Sequence, residues 1–229
     1  MILHRFNALE TAAAALAAQV AAALGEALLA RSRASLVVPG GRTPSALFRA
    51  LRRWEMDWTG VHVTLSDERW VPDTHESSNA ALVRRELLSG PAAAARLHPL
   101  YNGAPSAAAG LLQSWQGLAE MPQPFDVVVL GMGEDGHFAS LFPGSPGLGA
   151  ALDVSAPAAC VAMRAPVAPT DRLSLNLAAL TNTRRLFLLV SGEGKRVLLE
   201  SAAQSPPELL PISALLAVSG PAPEVYWAP

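Results

Sequence analysis

The sequence predicts an α/β fold built on a mostly parallel sheet, and three observations carry that prediction. Short apolar runs such as VHVTL, FDVVVL and RRLFLLV alternate with segments of helical spacing. Such alternation implies parallel strands joined by crossover helices and covered on both faces. Glycine and proline punctuate the junctions, as turns between the two kinds of segment require. Finally, 51% hydrophobic and 16% charged residues in a chain of 229 suffice for one substantial core. No repeat, low-complexity linker or charge block divides the chain, so residues 1–229 are expected to form a single domain.

Each element has a local reason. TAAAALAAQVAAALGEALLA is apolar enough to suggest a signal or membrane helix. Gln19 and Glu26 interrupt it, alanine is only weakly apolar, and Leu16, Val20, Leu24 and Leu28 recur every four residues. That spacing makes one apolar stripe, so we read an amphipathic helix packed on a core. SLVVPGG follows as a buried strand ending in a glycine turn. TPSALFRALRR reads as a helix with Thr43 as its cap and Pro44 at its first position. VHVTLSD is the next strand, and SNAALVRRELL the next helix, capped by Ser78 or Ser77. A short RLHPLY strand precedes the helical AAAGLLQSWQGLAE, and FDVVVLG is the clearest buried strand. Then come the strands ACVAMRA and RRLFLLVSG, a helix from Lys195 to about Gln204, and a short terminal strand VYW.

Charge and cysteine content narrow the function. A net charge of -2 argues against a nucleic-acid or anionic-membrane partner. The lone Cys160 excludes an internal disulfide and suits a soluble protein of the reducing cytoplasm. Protein partners and oligomeric state are not legible.

The chemistry-bearing residues fall at strand ends, where open α/β sheets bind ligands. In GMGEDGHFASLFPG, Gly131, Gly133 and Gly136 fit the dinucleotide pattern G-x-G-x-x-G, and Asp153 stands near the spacing of a ribose-binding acid. The surroundings contradict that pattern. Pro143, Gly144, Pro146, Gly147 and Gly149 break any crossover helix, and Glu134 and Asp135 would put negative charge beside a pyrophosphate. What remains is a carboxylate and an imidazole, Asp135 and His137, on a turn that a small substrate can approach closely. A histidine titrating near its ordinary range of roughly 6.5 can take a proton from water and return it to a leaving oxygen. Alone, a loop histidine equally serves to satisfy a loop hydrogen bond.

Three further loops supply polar groups. PGGRTP offers Gly40, Gly41 and Thr43, whose amides at a helix start suit a phosphate, although any strand-to-helix turn also needs glycine and a cap. SDERW offers Asp67, Glu68 and Arg69, with a solvated salt-bridge turn as the plain alternative. SGEGK offers Gly192, Gly194 and Lys195. It is not a Walker A loop, since Leu189 stands at the first glycine position and Arg196 replaces Ser/Thr. Lys195 is the only lysine among 17 basic residues. At a glycine-rich helix start it supplies a compact, flexible charge suited to phosphate.

Together, PGGRTP, SDERWVP with the following SSN, GMGEDGHFASLFPG, RLSLNLAAL and SGEGK resemble the 6-phosphogluconolactonase family. They span residues 38 to 196 in family order, and GMGEDGHFASLFPG is the most specific of them. The resemblance implies a three-layer Rossmann-like α/β sandwich, shared with glucosamine-6-phosphate deaminases. It also implies hydrolysis of 6-phospho-D-glucono-1,5-lactone in the oxidative pentose phosphate pathway, with no nucleotide, other cofactor or catalytic metal. His137 is then expected to activate water and protonate the departing ring oxygen, supported by Asp135. Arg69 and Lys195 are expected to bind phosphate, with the Gly40–Gly41–Thr43 turn and Arg172 as further ligands. Asp67 is expected to orient a sugar hydroxyl or a water. The deaminase branch carries a glutamate where this chain has Phe142, which cannot transfer a proton. A non-catalytic sugar-phosphate sensor is the remaining alternative; sensors that act as transcription regulators need a DNA-binding segment, and only one helix precedes the first expected strand.

Overall fold

The computed structural model describes residues 1–229. Its main sheet holds seven parallel strands: β1 (Ile2–Arg5), β2 (Ala34–Val38), β3 (Val61–Leu65), β5 (Arg96–His98), β6 (Phe125–Leu130), β9 (Thr183–Ser191) and β10 (Glu224–Ala228). They lie in the order β1-β10-β9-β6-β2-β3-β5, all pairs parallel. The chain steps outward from β2 toward β3 and β5, and outward from β6 toward β9. The β2–β6 junction is therefore the point where the winding reverses, and a crevice opens there at the carboxyl ends of the strands. Strands β2, β3 and β6 are buried along their whole length, as their unbroken apolar runs require.

Helix α1 (Leu9–Arg31) packs across β2, β6, β9 and β10, with α2 (Pro44–Leu51) beside it. By length and composition α1 could cross a membrane, but Leu16, Val20 and Leu24 are fully buried in the core. Leu28, the last of the stripe, is half-buried at the helix end. Pro44 does open α2, but Thr43 does not cap it. Thr43 adopts helical angles, φ -56° and ψ -43°, and its hydroxyl makes no capping bond. Ser78 does cap α3 (Asn79–Glu86), accepting from the Ala81 amide.

A second, three-stranded antiparallel sheet was not legible in the sequence. It runs β4 (Asp67–Arg69), β8 (Asp171–Leu175), β7 (Cys160–Arg164), and α4 (Ala107–Gln116) packs on it. SDERW is thus a buried strand, not a solvated turn: Asp67 is 6% exposed and Glu68 fully buried. The ACVAMRA strand belongs here rather than to the main sheet. Both sheets contribute to one contiguous core of 58 buried residues. The remaining helices are α5 (Leu148–Ala151), α6 (Leu177–Thr181), α7 (Glu193–Ser201) and α8 (Ile212–Ala217).

Candidate active site

A cleft of about 360 Å³ lies at the carboxyl ends of β2, β3, β6 and β9. Its wall includes Gly40, Gly41, Thr43, Asp67, Arg69, His137, Arg172 and Lys195. Of the residues given a catalytic or substrate-binding role from the sequence, only Asp135 is not in that wall; it is bonded to His137 Nδ1.

The loop after β6 folds back on itself. The Gly133 amide donates to the His137 carbonyl at 2.8 Å, and the Gly136 amide to the Gly133 carbonyl at 3.2 Å. The imidazole lies against the α-carbon of Gly133, where any β-carbon would overlap the ring. Glycine at 133 is therefore a matter of space. No helix follows these glycines until the four-residue α5, so the dinucleotide geometry is not formed. Nδ1 of His137 lies 2.5 Å from Asp135 Oδ1, and the His137 amide also donates to that oxygen. A carboxylate at this distance holds the proton on Nδ1 and leaves Nε2 as the free acceptor. Burial pushes the Asp135 carboxyl up, but the hydrogen bond and charge of His137 more than offset this and hold it below the ordinary range. Phe142 packs on the other side of His137, ring centroids 4.3 Å apart, and the Arg172 guanidinium stands 5.8 Å over the same phenyl ring.

The small sheet supplies the cations. Alternation along β4 turns Asp67 and Arg69 toward the cleft and Glu68 away from it. Glu68 holds the start of α3, accepting from the amides of Asn79 at 2.7 Å and Ala80 at 2.8 Å and from the Ser78 hydroxyl. Burial pushes its carboxyl up against the pull of those amides. Asp67 accepts from Ser140 Oγ at 2.6 Å and Ser66 Oγ at 3.0 Å, tying β4 to the His137 loop. Arg69 and Arg172 are direct cross-strand partners. Arg69 gives one N–H to the Ser77 carbonyl while its buried Nε has no partner, and Arg172 gives Nε to the Pro169 carbonyl. Burial, then the neighbouring Arg69 charge, pulls the Arg172 guanidinium down. Neither arginine nor Lys195 takes part in any ion pair. Three cations thus face one cleft without a carboxylate partner, the arrangement an anionic ligand completes.

The profile of the family described as glucosamine-6-phosphate isomerases/6-phosphogluconolactonase matches residues 7–227. The chain belongs to this family. A 6-phosphogluconolactonase of Rhizobium meliloti is 43% identical over 228 residues, covering 99% of this chain and 98% of the relative. One from Pseudomonas aeruginosa is 44% identical, covering 93% and 89%. The crystal structure of a 6-phosphogluconolactonase from Shewanella baltica superposes with a TM-score of 0.95 at 40% identity, covering 100% of this chain and 98% of that one. The family relationship agrees with the fold that the motifs implied.

Sequence reasoning missed one buried polar member of the cleft and several residues that support its walls. Asn79 lines it, 2% exposed, and donates its side-chain amide to the Asp67 carbonyl at 2.8 Å. It stood within the quoted SSN, which was the available signal. Ser140 stood within the loop motif as well. The support of Gly136 by Leu210 and by the Ile212 amide had no local signal, because it comes from α8 and the turn before it.

Proposed function

We propose that this protein hydrolyses 6-phospho-D-glucono-1,5-lactone to 6-phospho-D-gluconate, a step of the oxidative pentose phosphate pathway. The observation that carries the reading is one cleft holding both a carboxylate-oriented imidazole and three unpaired cations. The names of the relatives support the lactonase branch of the family, and so does Phe142, packed against His137 where the deaminase branch carries a glutamate.

In this reading His137 Nε2 takes a proton from water as the water oxygen attacks the lactone carbonyl carbon. The negative charge moves to the carbonyl oxygen. When that intermediate collapses, the bond from C1 to the ring oxygen breaks, and the imidazolium returns the proton to the departing oxygen. Asp135 keeps the ring in the productive tautomer and stabilises its charged form. Arg69, Arg172 and Lys195 bind the phosphate, with the Gly40, Gly41 and Thr43 turn beside them. That remote binding positions the carbonyl against the base. Asp67, already accepting from two serines, orients a sugar hydroxyl through its remaining lone pairs. No cofactor enters this scheme. A cytoplasmic location goes with it, which the buried, unpaired Cys160 suits.

The test follows acid release from freshly generated 6-phosphogluconolactone above the spontaneous rate, beside an ammonia assay on glucosamine 6-phosphate. The expected result is lactone hydrolysis without ammonia. Substituting His137→Ala should lower turnover by roughly 10²–10⁴-fold in a folded protein, the usual weight of general acid–base catalysis. Protonating Nε2 removes the base, so activity should also fall on the acid side of the pH profile. Ammonia release without lactonase activity would reverse the choice of branch, and a fully active alanine variant would remove His137 from the chemistry.

A further inference from the structure

Lys195 reaches the cleft from the start of α7, and the glycine turn that opens the helix has little to hold it. Gly192 opens α7 at φ +105° and ψ 142°, a region that side chains rarely adopt and that glycine samples freely. Its neighbour Gly194 adds further freedom. Yet the turn is tied down from outside the cleft. The indole Nε1–H of Trp227 donates to the Gly192 carbonyl at 3.0 Å, and the Gly192 amide donates to the Ala228 carbonyl at 2.9 Å. Trp227 is itself fixed. It lies on β10, 8% exposed, paired in register with Val190 of β9, and its carbonyl accepts from the Phe6 amide at 2.9 Å.

The indole edge holds the turn, and one face of the ring packs against the neighbouring cation. Arg196 lies 5.6 Å over the Trp227 ring, and its guanidinium is spent on Glu193 and Glu200, each at 2.6 Å. The two basic residues in the first turn of α7 are thereby separated: Arg196 is folded along its own helix and against β10, and Lys195 alone faces the cleft without a carboxylate partner.

We propose that Trp227 is a positioning residue for anion recognition: its indole N–H pins the Gly192 turn so that Lys195 is presented to the substrate phosphate. The proposal rests on the reading of Lys195 as a phosphate ligand. Trp227 does not line the cleft, so it acts only through the turn.

Trp227→Phe keeps an aromatic ring under Arg196 and leaves the β10 backbone ladder intact, but removes the donor. The expected effect is a rise in KM for 6-phosphogluconolactone of about 3- to 10-fold, the scale of one neutral hydrogen bond, with kcat changed less. Kinetics on unphosphorylated gluconolactone should stay where they were. Combining Trp227→Phe with Lys195→Ala should add nothing to the loss caused by Lys195→Ala alone, since both remove the same interaction. Equal losses on the two lactones, or additive losses in the double variant, would overturn the proposal. A Lys195→Ala enzyme that keeps its preference for the phosphorylated lactone overturns the underlying reading and the proposal with it. One that loses the preference while Trp227→Phe retains it overturns the proposal alone. In the unsubstituted protein, the bond predicts a slowly exchanging Trp227 indole proton whose resonance shifts when inorganic phosphate is added; a freely exchanging, unmoved signal also overturns it.

Discussion

The two ends of the main sheet treat charge in opposite ways. At the amino ends of the strands, Asp126 is 2% exposed and fully engaged: Arg31 lies at 2.5 Å, Arg184 at 3.4 Å, and the Ser35 amide donates at 2.9 Å. Nearby, His62 and His98 share a 2.9 Å bond, with Arg33 donating to His62 and His98 in contact with the Gly117 carbonyl. Every buried polar group there has a partner inside the chain. At the carboxyl ends, Arg69, Arg172 and Lys195 share a cleft without one carboxylate paired to them, and Arg69 Nε bonds to nothing. Burying a cation without a counter-ion is costly, so a folded protein keeps such groups only where something else compensates. The amino end satisfies its charges within the chain; the carboxyl end leaves three cations without a carboxylate partner, as the proposed phosphate site requires.

The contrast is broken most severely at the imidazole. Asp135→Asn preserves the shape of the loop, since its carboxamide oxygen can still accept from the His137 amide and Nδ1–H, but it removes the negative charge that stabilises the imidazolium. Turnover should fall on the order of 10²–10⁴-fold with the melting temperature little changed. Near-normal turnover would make Asp135 a mere brace. A smaller effect is expected at Arg172. Arg172→Met removes one charge-assisted contact, so kcat/KM on the phosphorylated lactone should drop by roughly 10- to 100-fold. Thermal unfolding should show the melting temperature unchanged or raised by about 2–4 °C, because an uncompensated buried charge has gone. Loss of several degrees with phosphate preference intact would move Arg172 to the structural side of the comparison.

The smallest effect belongs to the amino end and concerns stability alone. Burial, then the Arg33 charge, pulls His62 below the ordinary histidine range; burial does the same to His98, against the pull of the Gly117 carbonyl. Arg96 lowers both as well, while Glu120 works the other way. The unfolded chain therefore binds protons first as pH falls. The stability contributed by the pair is complete above about pH 6.5 and is lost below it as the unfolded histidines charge. Melting curves taken from pH 7.5 to 5.5 should show this loss, and His62→Gln should flatten the slope. An unchanged slope in that variant would detach the pair from acid stability.

What the sequence disclosed follows the same division. VHVTL and FDVVVL were legible because a strand buried on both faces must be apolar throughout, and α1 because one stripe of leucine and valine recurs with helical spacing. DER and DRLSL were not legible as strands. Their alternation serves a cleft on one side and α3 or the core on the other, so charged residues occupy positions that ordinarily mark a turn. His137 and Asp135 were readable because two residues on one loop meet locally. The partnership of Arg69 with Arg172 was invisible, since it depends on the register of strands separated by about a hundred residues of chain. Thr43 looked like a cap because its type and position suited one; its helical backbone precludes the role.

The register of β4 against β8 has one more consequence. A strand can be displaced from its partner only by whole residues, and a shift of one turns every side chain to the opposite face. Asp67 is tied through Ser140 and Glu68 through the start of α3, so the three residues of β4 cannot creep. The juxtaposition of the two guanidinium groups is accordingly an integer property of the fold. It is either fully present or absent, and no slight loosening of this sheet can dilute it by degrees.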